Sequence, residues 1–139
     1  MMCRSRLKGE SFEFPIRTHK DAYNLEALVK GIGEDLLVAV WGGDKPHIGA
    51  VAVAQPRPSL LDKDMISATA SVFCFLGHKE DLIAKEASER IASALNTNVV
   101  LTAGVHWDDI DEAGIACVMV NSRELVEMII ERISKKVSK

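Results

Sequence analysis

An α+β fold, a mainly antiparallel sheet with two principal helices on one face, is predicted by three features of the chain. β-rich apolar runs fill most of residues 12–77. The hydrophobic period then changes from 2 to 3.6 over residues 79–95. A strand-like run returns in "NVVLTAGV", and a second amphipathic stretch closes the chain. Strands first, then strand and helix in turn, segregate the helices to one sheet face. A more parallel α/β sandwich is the competing arrangement.

The elements follow in order. "SFEFPIRT" alternates Phe12, Phe14 and Ile16 with polar neighbours, the pattern of a half-buried strand. Pro15 has no amide to donate, so this strand should lie at an edge or carry an irregularity. "YNLEALVK" alternates again, and Gly31 and Gly33 mark a turn. "DLLVAVWGG" is a continuous apolar run and reads as a central strand covered on both faces. "HIGAVAVAQ" is the next strand, after which Pro56 and Pro58 open a loop. "ISATASVFCFLG" is a further strand, and the stretches near 36–41, 48–54 and 66–76 suggest consecutive antiparallel pairing.

In residues 79–95, Ile83, Ala87, Ile91 and Ala94/Leu95 form an apolar stripe, and Glu86–Arg90 is a favourable i,i+4 pair. Asp108, Asp109 and Asp111 suit the start of a short helix through Ile115. Asn121 with Glu124 resembles an N-cap and its reciprocal partner. That places a last helix from there to about Lys136, burying Leu125, Met128, Ile129 and Ile133.

With 139 residues the chain suits one domain, read as residues 10–139 after a flexible N-terminus at 1–9. A net charge of -3 without a basic block argues against nucleic acid or anionic lipid as a partner. No apolar run approaches the roughly 18 residues of a membrane span. Cys3, Cys74 and Cys117 are odd in number and form no CxxC pair, which fits a reducing cytoplasm.

Three histidines occupy matching settings, each after an apolar run and beside glycine and an acid. His47 lies near Gly42, Gly43 and Gly49; His78 follows Gly77 and precedes Lys79 and Glu80; His106 follows Thr102 and Gly104 and precedes Trp107 and Asp108. Brought together, these segments make a pocket of imidazoles, carboxylates and exposed amides. "GGDKPHIG" suits a loop whose amides meet an anion or flat cofactor, but taken alone it favours a glycine hairpin between strands. It lacks the endings of a P-loop and the spacing of a dinucleotide fingerprint. His78 and Lys79 stand where a helix N-terminus favours phosphate, and equally at a plain strand-to-helix turn. Thr102 and His106 offer hydrogen bonds and Trp107 a ring to stack, or all three serve the core. The histidines and acids include no HxH or HExxH pair, so no obligatory metal is expected. No nucleophile signature is present, and no catalytic residue is assigned.

Three blocks carry a family resemblance: "GEDLLVAVWGGDKPHIG" at 33–49, "GHKEDLIAKEASERIASAL" at 77–95 and "LTAGVHWDDI" at 101–110. In this order they resemble the LpdD-like prenylated-flavin chaperone family, whose members include the small D subunit of UbiD-type gallate and hydroxyarylic-acid decarboxylases. The resemblance extends over roughly residues 23–133. It implies an accessory protein that does not decarboxylate by itself. Such a protein would bind prenylated FMN and protect, mature or deliver it to a UbiD-type decarboxylase, with a flavin prenyltransferase as a further partner. Gly42, Gly43, His47, Gly49, His78, Lys79, Thr102, Gly104, His106 and Trp107 are then the cofactor-binding candidates. A homo-oligomer is expected, since the sheet should keep an uncovered face or edge. The rival reading is a small metal- or histidine-dependent enzyme, or a decarboxylase subunit with its own activity.

Overall fold

The computed structural model describes Leu7, Gly9, residues 11–75 and residues 80–137. The elements are β1 (Phe12–Arg17), β2 (Glu26–Ile32), β3 (Asp35–Gly43), β4 (Ala50–Pro58), β5 (Ile66–Cys74), α1 (Asp81–Leu95), β6 (Val99–His106) and α2 (Glu112–Val137). They form one six-stranded sheet in the order β1-β2-β3-β6-β4-β5. Every neighbouring pair is antiparallel except β3 and β6, which run parallel. The fold is therefore α+β.

Alternation sets which face is buried. Ala27, Val29, Leu36, Val38, Val40, Ala50, Ala52, Ala54, Val99, Leu101 and Ala103 point to the helices and are buried. Ile83, Ala87, Ile91 and Leu95 of α1 close over this face, as do Leu125, Ile129 and Ile133 of α2. Met128 is only half-buried. Full burial of a Leu or Ile side chain contributes roughly 1.5–3 kcal/mol, so this one seam dominates the stability.

Several expectations need correction. The run at 35–43 is central but covered on one face only: Leu37 remains exposed, because both helices lie on the opposite side. β3 does not pair with β4. β6 lies between them, bonded through Leu37↔Val100 on one side and Val53↔Val100 on the other. "GGDKPHIG" is therefore a crossover between non-adjacent strands, not a hairpin.

β4 also runs on through Pro56 and Pro58. Beyond Ala54 it has left β6 and pairs only with β5. A strand with one open edge tolerates proline there. Pro15 likewise sits on edge strand β1, as its chemistry requires.

The C-terminal helix is one element of 26 residues rather than two. Its N-terminus is held by Asp111, whose Oδ1 accepts the Gly114 amide at 2.7 Å. Asn121 is buried in mid-helix. Its Nδ2 donates to Ala22 O at 3.1 Å and Tyr23 O at 2.7 Å, so its amide reaches across the fold instead of capping. Arg90 likewise leaves its own helix: it meets Glu127 of α2 at 2.8 Å, while Arg123 takes Glu86 at 3.3 Å.

Candidate functional site

The parallel pair β3–β6 decides where a site forms. Both strands end at one edge of the sheet, where the β3–β4 crossover, the start of α1 and the start of α2 also arrive. Strand carboxyl ends beside a change in strand order are common ligand positions in α/β sheets. A cleft of about 500 Å³ opens here, lined by His47, Glu80, Val105, His106 and Trp107, with Ile115, Val118 and Met119 of α2 among its apolar residues. Its size and mostly apolar wall fall within the range of small-molecule sites.

Glycine lets the chain close around this cleft. Gly43 has φ +96°, and a Cβ there would overlap the carbonyl of His106. On Gly104 it would overlap the carbonyl of His47, and on Gly49 the carboxylate of Glu80. On Gly42 it would come within 2.8 Å of Leu25 and 3.3 Å of Trp107. The crossover thus lies directly on the end of β6. Several of its amides are used in this docking: Asp44 N donates to His106 O at 2.7 Å, and Gly49 N to Ala103 O at 2.9 Å.

Glu80 is the polar centre. It is 6% exposed. Its Oε1 lies 2.8 Å from His47 Nε2 and accepts the Val105 amide at 3.4 Å. β4 has ended at this level, so the carboxylate meets the β6 backbone where strand pairing stops. His47 Nδ1 lies 2.9 Å from the carbonyl of Lys45, which can only accept. Nδ1 therefore carries a hydrogen. Nε2 then faces the Glu80 carboxyl at the cleft wall.

At the cleft mouth, His106 Nε2 lies 3.0 Å from Asp108 Oδ1, and Lys45 Nζ lies 3.5 Å from the same oxygen. Asp108 N donates to Asp44 Oδ2 at 2.9 Å, tying the crossover to the start of α2. The His106 hydrogen bond, then the Lys45 charge, hold the Asp108 carboxyl below its usual value of 3.8. Trp107 packs edge-to-face on Tyr23, with ring centres 5.3 Å apart. Tyr23 itself has φ +59°, an uncommon conformation for a bulky residue, and Asn121 holds its carbonyl.

The structure thus brings His47, His106 and Trp107 to one cleft, shaped by Gly42, Gly43, Gly49 and Gly104. Thr102 is set apart. It pairs with Ala39 and Val51 and alternates with buried Leu101 and Ala103, on the sheet face away from the helices. His78 and Lys79 lie outside the described residues. Sequence reasoning did not select Glu80, which it read only as an acid following His78. The signal available was its place two residues after the Gly77-His78 step, the third glycine–histidine segment. Among the described residues no three His, Cys, Asp or Glu side chains gather as a metal-ligand group. No described helix is long and apolar enough to cross a membrane.

The family model for the prenylated flavin chaperone LpdD-like domain matches residues 19–134, a span that contains the described cleft. The chain belongs to this family. It is also 31% identical over 115 residues to Protein LpdD of Lactiplantibacillus plantarum, covering 81% of this chain and 79% of that protein. As an LpdD-like protein it has an accessory, chaperone-type role. A solved chain from a chaperone complex for yeast 20S proteasome assembly shares the fold. Its TM-score is 0.51 at 11% identity, covering 92% of the LpdD-like chain and 97% of that one.

Proposed function

We propose that the cleft at the ends of β3 and β6 binds prenylated FMN, and that the protein protects, matures or delivers this cofactor to a UbiD-type decarboxylase. One observation carries the reading: a polar pair, His47–Glu80, is set in a mostly apolar cleft of about 500 Å³ within the span that matches the prenylated flavin chaperone family. The ligand's chemistry fits the residues present. Val105, Trp107, Ile115, Val118 and Met119 would cover an oxidation-sensitive ring system and exclude water from it. His47 and Glu80 would exchange hydrogen bonds with its heteroatoms. His106 and Lys45, both at Asp108, would offer donors to a phosphate at the mouth. When bound, the cofactor supplies the electron-accepting ring used by its decarboxylase. This chain's own residues hold, shield and release it.

The test is titration of the full chain with reduced and oxidised prenylated FMN, followed by addition to a cofactor-free UbiD-type decarboxylase. Saturable binding and restored decarboxylation are the expected results, with neither lost on prior chelation. Absence of binding to both forms overturns the reading. Binding without reactivation retains the cleft assignment and rejects delivery. Loss of function on chelation, with about one ion released per site, would favour the metal-dependent enzyme instead.

A further inference from the structure

The long helix α2 changes character halfway along its outer side. Over residues 113–120 the exposed positions are Ala113, Ile115, Ala116, Cys117 and Val120, all apolar. Over residues 123–136 they are Arg123, Glu127, Glu131, Arg132, Lys135 and Lys136, all charged. Packing on the sheet does not account for the change, because the buried stripe runs through both halves, from Val118 past Leu125 to Ile133. Single exposed apolar residues are ordinary on a protein surface, whereas an uninterrupted apolar ridge marks a contact surface.

The ridge joins the cleft. Ile115 lines the cleft and is 51% exposed, and Leu82 on the first turn of α1 lines it at 54%. A wall residue that is also exposed stands at the opening, so a ligand leaving the cleft passes this rim. Ala116 and Val120 continue the apolar surface outward from Ile115 without entering the cleft wall.

Charge at the border selects the occupant. Asp109, Asp111 and Glu112 are exposed where α2 begins. At the far end the charges balance, with Lys20 at 3.1 Å from Glu124 and Arg123 at 3.3 Å from Glu86. The border is therefore acidic overall. A protein entrance that receives a phosphate-bearing ligand is basic, and so has the complementary sign. An anionic membrane surface would be repelled, and a second copy would present the same acids.

We infer that the outer ridge of α2, residues 113–120, docks the UbiD-type decarboxylase that accepts the cofactor, with the cleft opening set against its basic entrance. The identity of the partner rests on the proposed function, but the contact does not require a filled cleft. An apolar centre inside a polar border is the usual anatomy of such an interface.

The test is binding of the full chain to a cofactor-free UbiD-type decarboxylase by surface plasmon resonance, with the chain either free or preincubated with prenylated FMN. A saturable complex is expected. Ala116→Lys and Val120→Lys, which keep good helix formers in α2, should raise its dissociation constant about tenfold or more. Leu61→Lys, on the β4–β5 loop and 99% exposed, should leave it unchanged. Circular dichroism verifies folding, and Val120→Gln replaces any ridge variant that fails this check. Direct titration of the same variants with prenylated FMN should match the native chain, since neither residue lines the cleft. A complex that needs the ridge, formed by a chain that binds no cofactor, would support the docking surface and reject the cleft assignment. No complex in either state overturns the inference. So does a complex equally tight in the folded ridge variants, or one weakened as much by Leu61→Lys. Self-association that both ridge variants abolish would assign the ridge to a second copy, and overturns it too.

Discussion

At the residue scale, two polar side chains join parts of the chain that sequence spacing does not connect. Asn121 holds the carbonyls of Ala22 and Tyr23 from inside α2. Asn121→Ala should therefore cost about 1–3 kcal/mol in urea unfolding, since it leaves acceptors beneath the helix without that donor. A change within the ordinary surface range of about 0.5 kcal/mol would contradict this. Asp108 offers a pH test. Its carboxyl lies below 3.8, chiefly through His106 and secondarily through Lys45. A depressed acid supports the folded arrangement above its ordinary value. That support fades as pH falls from 3.8 through the lower folded value. In His106→Ala the Asp108 titration, followed by carbon NMR, should move up toward 3.8. An unchanged midpoint would show that His106 does not set it. Both residues looked otherwise in sequence: Asn121 has the spacing of a cap, and only the folded chain shows its amide reaching β2's approach.

At the element scale, the β3–β4 crossover is the part that makes the cleft, and its Gly43 serves a different use from Gly33 in the β2–β3 turn. Gly33 has φ +60° in open space, whereas Gly43 has φ +96° against the carbonyl of His106. Gly33→Asn should cost under about 1 kcal/mol, because Asn tolerates the left-handed region. Gly43→Ala should cost more than about 2 kcal/mol, from backbone strain and overlap together. Equal effects in chemical unfolding would refute the close approach of crossover and β6. Local pattern was enough to locate the strands and the start of α1, because alternation and the 3.6 period are local properties. It could not show that β6 separates β3 from β4, since strand order depends on contacts between residues 36–43 and 99–106. Treating Pro56 as a strand end failed for a related reason: the open edge that admits it exists only because β6 begins at Val99, opposite Ala54.

At the scale of the whole molecule, one sheet has two differently used sides: helices cover one, and an apolar row is exposed on the other. The cleft lies where β3 and β6 end, apart from this open face. Much of the cleft was legible beforehand, because Gly-His segments follow the strands that converge there. Glu80 and the α2 wall were not, because Ile115 ended one expected helix and Val118 and Met119 fell between two, until α2 proved continuous through Asn121. The most direct measurement of the central claim is co-expression with a flavin prenyltransferase, followed by absorption and mass spectrometry of the purified full chain. The native chain should carry prenylated FMN near one per subunit. Ile115→Asp, which places a charge in the cleft wall, should remain folded by circular dichroism and carry much less. A native chain without the cofactor, or an Ile115→Asp chain loaded to the same extent, would contradict the assignment of this cleft.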